Sequence, residues 1–445
     1  MQSDMTVHEN DCCNVLDSSV TISPSVKTLP KVTHEEHKDI AVPERKLRIW
    51  QSCTNTMNIL LGLGLLSIPY AFRVSGWLIG WSFFLLWAIL SNYTGNRLVQ
   101  CFNEDITSYV HLCTVLWGKK GRIVMGIIFI FEAFGNGVAN ALICADNVHE
   151  LFPEFDIIHI KLVSMPIVTC ISMLPMRYLG YTSCIGAISS LGLIIVSCID
   201  GLTKRHAPGS LLEPMQTSLW PTNWKLLPYG LGIMCYVFAG HIVFPSIYKK
   251  MKTPHLYSRV LLASFTLTTI LHGFMGSTMY LMFGDNTEKE ITQNILRQSD
   301  YSIVLNKLVV WTIVLTVVSK YALCLQITYE MEARGLAQAR FLRKFPLLGV
   351  LRYIIYVLTS IAAVAIAILF PDFDRILSFF GSALGTVTCI IIPLLCYLKM
   401  FWSSISAFQR TLNIGLIVIT AIIAMVGTVW SFIPGDLLQQ DSAPR

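Results

Sequence analysis

Charge is what this chain of 445 residues has least of: Asp, Glu, Lys and Arg together make up 13% of it. Soluble domains average about 25%, so the shortage excludes a string of soluble domains that the length alone would allow. The net charge of +6 is no nucleic-acid signal, since basic residues of such a chain belong to its cytosolic loops. Catalytic and metal signatures are missing too. His34-Glu35-Glu36-His37 lacks the spacing of a zinc-protease helix, and there is no His-Glu-x-x-His, no Gly-x-Ser-x-Gly and no paired intramembrane Asp, so an enzyme is not expected. No carboxylate cluster forms a metal cage, and no cofactor is expected. Neither a ring-forming filter motif nor an Arg-rich span points to a channel. No secretory signal is visible: the first apolar run follows a long polar segment and reads as uncleaved. The thirteen cysteines form no disulfide framework. Most lie inside apolar runs, where they pack as small hydrophobes, and Cys12, Cys13, Cys101 and Cys113 fall in segments read as cytosolic, where thiols stay reduced.

What is there instead is hydrophobicity, 54% of the chain, in runs long enough to cross a bilayer. The expected fold is an all-α polytopic membrane protein with eleven transmembrane helices, near 50–73, 76–99, 122–149, 160–176, 179–200, 226–248, 257–283, 302–330, 347–370, 375–398 and 411–433. Residues 1–46 read as a disordered cytosolic tail, 47–433 as the transmembrane domain and 434–445 as a short lumenal or extracellular tail. Most of the 33 Lys and Arg fall on the side of the N-terminus, which places that terminus in the cytosol. The opposite loops are acidic, with Glu154, Asp156, Asp285, Glu288, Glu290, Asp300, Asp372 and Asp374. An amphipathic run from Ser108 to Trp117 suits the membrane surface or the inner mouth.

Two spans are poor continuous helices. The first reads Gly62-Leu63-Gly64-Leu65-Leu66-Ser67-Ile68-Pro69-Tyr70, and the sixth reads Gly240-His241-Ile242-Val243-Phe244-Pro245-Ser246-Ile247-Tyr248. Both carry Gly-x4-Pro followed by Tyr, five spans apart and therefore inverted. Gly/Pro-interrupted spans at matching places in two halves point to an inverted-repeat transporter. Each break exposes backbone groups and two half-helix ends. N-terminal ends favour a carboxylate, and C-terminal ends an ammonium or cation. A free amino acid carries both groups. The expected substrate-binding residues are Asn58, Gly62 and Gly64 in the first span, and Tyr236, Phe238, Ala239 and Gly240 in the sixth.

Three titratable groups lie deep in spans: Glu132 in the third, His241 in the sixth and Lys320 in the eighth. Facing lipid unpaired, each would cost several kcal/mol, so all three are expected to face the interior. They are either structural, for instance as a Glu132–Lys320 pair, or carriers of a coupling proton. An ammonium beside the first span can also stand in for a bound sodium ion. Asn136 and Asn140 share a helical face near Glu132, as do Thr54 and Asn58 on the first span. With Ser319 they either line a path or bridge helices.

Four stretches carry a resemblance to the amino acid/auxin permease family, in its branch of vacuolar and vesicular inhibitory amino acid transporters. They are NTMNILLGLGLLSIPYAF in the first span, Ala145-Asp146-Asn147 through Leu151-Phe152-Pro153, FAGHIVFPSIYKKMKTP, and Lys320-Tyr321-Ala322-Leu323. The stretch before Lys320 reads Val317-Val318-Ser319 where the family often has Pro-Leu-Thr, and a Pro often found after it is missing. The resemblance covers about 48–433. It implies a five-plus-five inverted repeat like the sodium-coupled leucine transporter fold, plus one appended helix. It also implies proton-driven transport of free amino acids at a vacuolar or lysosome-like membrane, with protons and lipid as the other partners. An amino-acid-sensing transceptor and a plasma-membrane permease are the alternatives. Which amino acids move, and in which direction, is outside what these residues specify.

Overall fold

The computed structural model describes residues 47–103, 106, 108–172, 182–298, 300–338 and 348–433. The expected tails 1–46 and 434–445 lie outside the described residues, as does the junction 173–181. Among the described residues the regular structure is helical, with one isolated backbone bridge between Leu47 and Met251. In chain order the helices are α1 (Ile49–Leu60), α2 (Gly64–Gln100), α3 (Tyr109–Leu151), α4 (Ile157–Ser172), α5 (Thr182–Thr203), α6 (Leu227–Val237), α7 (Phe244–Lys250) and α8 (Tyr257–Phe283). They continue with α9 (Ile291–Arg297), α10 (Ile303–Gln338), α11 (Leu348–Leu369), α12 (Phe373–Phe379), α13 (Ile392–Phe401) and α14 (Ala407–Ser431). Between α12 and α13 the chain keeps turning as two π-helical stretches, Phe380–Gly385 and Val387–Ile391. Among the described residues, five helical stretches are long and apolar enough to cross a membrane: Gly64–Gln100, Tyr109–Leu151, Pro254–Asn286, Phe373–Phe401 and Ala407–Ser431.

The 37 residues of α2 make a helix of roughly 55 Å, far longer than a bilayer core of about 30 Å. Gly76 divides it. Its φ of 68° is open to glycine and strained for other residues. A Cβ there would also sit 2.5 Å from the Trp220 carbonyl carbon. The amides freed by the break are taken up by the 217–220 loop: Trp77 N–H donates to the Ser218 carbonyl at 3.1 Å and Leu78 N–H to that of Leu219 at 3.0 Å. Backbone groups at the membrane boundary are thus paired within the protein, as a lipid solvent requires. The part of α2 before Gly76 continues the first expected span, and the part after it is the second.

The tightest helix contacts pass through glycine. Gly232 of α6 faces Ser378, and Gly381 of the first π stretch faces α6 in turn. A Cβ on Gly381 would lie 2.1 Å from the Gly232 carbonyl oxygen and 2.6 Å from the Tyr236 nitrogen. The expected tenth span therefore lies against the first half of the broken sixth with backbones almost touching. Elsewhere α3 packs along α10, and α2 packs along α8 and α6. Residues such as Leu86 and Ile89 stay 66% and 67% exposed, as expected of a face turned to lipid.

Candidate functional site: two broken helices and the groups around them

The breaks fall just before the prolines rather than across them. The first occupies Leu61–Leu63, between α1 and α2, and the second Phe238–Val243, between α6 and α7. Pro245 then stands in the first turn of α7, where its missing N–H is no loss. Pro69 lies inside α2, within two turns of its start.

The two breaks meet. A Cβ on Gly64 would lie 2.7 Å from Val237 Cγ2, at the end of α6, and one on Gly240 would lie 3.2 Å from both Ile59 and Leu60, at the end of α1. Four half-helix ends therefore converge, α1 and α6 by their C-termini and α2 and α7 by their N-termini. Some freed backbone groups are recaptured locally: Gly62 N–H donates to Leu60 O at 2.9 Å, Ala239 N–H to Tyr236 O at 3.0 Å and Val243 N–H to Gly240 O at 3.1 Å. The amides of Gly240 and His241 point at the Cys389 sulfur in the second π stretch.

On one side of the breaks runs a polar stripe of α3. Asn136 Nδ2 donates to the Glu132 carbonyl at 2.8 Å, and Asn140 Nδ2 to the Asn136 carbonyl at 2.6 Å. Asn136 Oδ1 accepts from the Tyr236 hydroxyl at 2.6 Å, which ties α3 to the last turn of α6. The Glu132 carboxyl is within reach of the Thr388 hydroxyl, while its Oε2, Asn140 Oδ1 and Asn58 Oδ1 are buried acceptors without a partner. Unsatisfied acceptors at membrane depth are costly.

A narrow cavity of about 30 Å³ lies against the first break, lined by Leu61, Gly62 and Leu63 and by Ser189, Thr316 and Lys320. It has room for about two water molecules. Lys320 thus stands beside the first break. Its neighbour Ser319 belongs to α10, but its side chain is outside the described ones.

His241 is placed differently from Glu132 and Lys320. It is fully buried, its ring 4.8 Å from that of Phe244. Nε2 lies 3.0 Å from both the Ser91 carbonyl and the Thr94 hydroxyl of α2. A carbonyl can only accept, so Nε2 carries a proton, while Nδ1 has no partner. Phe238 likewise faces away from the cavity, its ring 5.1 Å from Phe84 and 6.1 Å from Phe265, and Ala239 packs on Gly385. Thr54 is exposed, its hydroxyl bonded back to the Trp50 carbonyl at 2.6 Å.

The structure therefore gathers Asn58, Gly62, Gly64, Gly240 and Lys320 around the breaks and adds Glu132, Asn136, Asn140 and Tyr236 on the α3 side. It holds His241, Phe238 and Ala239 in helix packing. Sequence reasoning missed Ser189, Thr316, Thr388 and Cys389. Nothing in their local pattern separates them from the many small polar residues of membrane helices.

The sequence profile of the family described as transmembrane amino acid transporter protein matches residues 45–433. The chain belongs to this family. Its members are transporters rather than enzymes, and the chain is a multi-pass membrane protein. Among the curated relatives of this transporter, amino acid transporter AVT1B of Arabidopsis thaliana is 29% identical over 397 residues, covering 85% of this chain and 69% of the relative. Amino acid transporter AVT1I of the same plant is 28% identical, covering 85% and 93%. The vesicular inhibitory amino acid transporter of Xenopus tropicalis is 23% identical, covering 87% and 77%. Similar solved structures include a Na+-coupled sialic acid symporter in a substrate-bound outward-open state, with a TM-score of 0.55, 15% identity and coverage of 90% of this chain and 91% of that one. The inward-facing conformation of Mhp1 follows at 0.52, 12%, 90% and 90%. At these identities the likeness establishes a shared transporter fold.

Proposed function

We propose that this protein is a secondary active transporter that moves free amino acids, neutral ones among them, across a vacuolar or lysosome-like membrane, coupled to the proton gradient by alternating access. Its architecture is read as eleven spans, five and five in inverted repeat with one appended, and the N-terminus cytosolic. The observation that carries this reading is the meeting of the two breaks. Helix N-termini present N–H donors and a partial positive charge to a carboxylate, while helix C-termini present carbonyls to an ammonium. The unpaired acceptors of Asn58 and Asn140 add places for ammonium protons. Names of relatives, amino acid transporters in a plant and a vesicular one in a frog, support the substrate class.

Protons are favoured over sodium as the coupling ion because Lys320 stands at the cavity beside the first break. Its ammonium puts a positive charge where a bound cation would otherwise neutralise the carbonyl ends of α1. Uptake into proteoliposomes tests the reading: labelled amino acid is expected to accumulate under an imposed pH gradient and to stop accumulating when the gradient is collapsed. Accumulation that ignores the proton gradient and follows sodium would overturn it.

A further inference from the structure

Opposite the bridge between Leu47 and Met251, the chain between α8 and α10 folds over the ends of several spans. It is an ordered piece: a 3-10 turn at Gly284–Asn286 followed by α9. Four points tie it down. Arg73 of α2 donates to the Thr287 carbonyl at 2.9 Å. Lys289 bridges Asp372 at 2.9 Å and Asp374 at 3.1 Å. Arg297 pairs with Glu150 at the end of α3 and with Glu288 of the loop itself.

The fourth tie is unlike the rest. Glu290 is 1% exposed and places its carboxyl within hydrogen-bonding reach of Asp146 on α3. Two carboxylates cannot hydrogen-bond one another, whereas a carboxylic acid and a carboxylate can, through one shared proton. Beside them lies Asn147, 1% exposed, whose Nδ2 donates to Glu290 Oε2 at 3.3 Å and whose Oδ1 has no partner. That carboxamide is held in place by a second bond, Nδ2 donating also to the Ile143 carbonyl at 2.8 Å, so it presents a donor to the Glu290 carboxyl. The other charged or titratable groups facing the pair are Glu150 and His149 on α3, Lys161 on α4 and Asp374 on α12, while Lys289, next to Glu290 in sequence, is turned to Asp372 and Asp374. Lys161 is itself spoken for, donating to the Ala367 carbonyl at 2.9 Å.

We propose that Asp146 and Glu290 form a proton-binding latch, in which one shared proton clamps the 284–297 loop onto the end of α3 and its loss releases the loop. Burial first, and the Asp146 carboxylate second, push Glu290 well above the usual carboxylate range. A raised carboxyl stabilises the closed loop fully below its ordinary value, and that contribution is lost as pH rises through the raised one. The two cations of the neighbouring ion pairs do not follow this course. Burial works to lower Lys289, but the Asp374 and Asp372 carboxylates hold it above its ordinary range, and the hydrogen bond to Glu150 does the same for Arg297. Both stay charged while the latch titrates. The latch rests on the transport reading only for the statement that this face meets the acidic compartment. It would then be shut there and loosened when that compartment is neutralised.

Backbone hydrogen exchange of the full chain in lipid nanodiscs, corrected for the intrinsic pH effect, tests this without any transport measurement. In the wild type, opening of 291–297 is expected to rise about tenfold or more between roughly pH 5 and pH 8, the response of one proton bound much more tightly by the closed loop than by the open one. Glu290→Gln and Asp146→Asn each supply a permanent N–H donor to the surviving carboxylate, so both are expected to stay protected across the range. A wild type without pH response, or a Glu290→Gln protein that responds as the wild type does, overturns the latch. So does protection at high pH restored by millimolar sodium or calcium, which would make a metal cation the ligand. A normal latch in a protein that fails to accumulate amino acids under a pH gradient would count against the transport reading alone.

Discussion

At the scale of single residues, Lys320 and His241 part company. Both are polar groups at membrane depth, and sequence alone made them equal candidates for a coupling proton. The structure puts Lys320 at the cavity beside Gly62 and puts His241 against α2, where its Nε2 proton is held by Ser91. Lys320→Ala is therefore expected to cut gradient-driven accumulation about tenfold or more, a barrier change of about 1.4 kcal/mol or larger. The ratio of uptake with and without a pH gradient measures it, and an unchanged ratio would remove Lys320 from the coupling role. His241→Ala is expected to leave that ratio alone and to lower stability by about 1–3 kcal/mol, through the lost hydrogen bond and the space left beside Phe244. A melting curve of the purified protein reads the second effect; a full-length protein with normal melting but no gradient dependence would reverse the assignment.

Elements are decided by where the backbone stops being helical, and here glycine sets the terms. Gly76→Ala forces an alanine to φ 68° and into the Trp220 backbone. With ψ at 171° this is backbone space essentially reserved for glycine, and the conformational part alone costs about 1–3 kcal/mol, so a lower melting temperature and easier proteolysis near the 217–220 loop are expected. Gly381→Ala pushes a methyl into the 2.1 Å gap to the Gly232 carbonyl oxygen. Overpacking of this kind costs about 1–3 kcal/mol, and a variant that melts like the wild type would show that α6 and the π stretch are not packed this closely. The helices themselves were legible from the apolar runs, and the breaks from glycine and proline. The π stretches were not. A π turn differs from an α turn by one residue in hydrogen-bond register, and Phe380–Ile391 carries no proline to signal it. Nor was α9 legible, since seven residues between two long spans leave too little periodicity to read.

For the whole molecule, the decisive relation is that the two breaks, nearly 180 residues apart in the chain, touch. A Cβ at position 64 would lie 3.5 Å from Val237 Cβ, within the range for a disulfide. Gly64→Cys combined with Val237→Cys is therefore expected to cross-link on mild oxidation, as read by mass spectrometry of the peptide joining positions 64 and 237. Absence of that peptide, with both thiols reactive, would separate the breaks. The Asp146–Glu290 latch belongs to this scale too, because it couples a loop to a span more than 140 residues earlier.

The amino-acid sequence by itself determined that the chain crosses a membrane many times, that two of its apolar runs are interrupted, and which family it belongs to. These follow from hydropathy, from the backbone chemistry of glycine and proline, and from local motifs such as Gly240 to Pro245. Only the tertiary structure decided which polar residues serve the interior and how. Helix periodicity says that Glu132, His241 and Lys320 avoid lipid, but each has several inward directions, and the neighbouring helix that meets it is set by packing across the whole fold. For the same reason Asp146 and Glu290, unremarkable in their own segments, become a pair only when the loop after α8 closes over the end of α3.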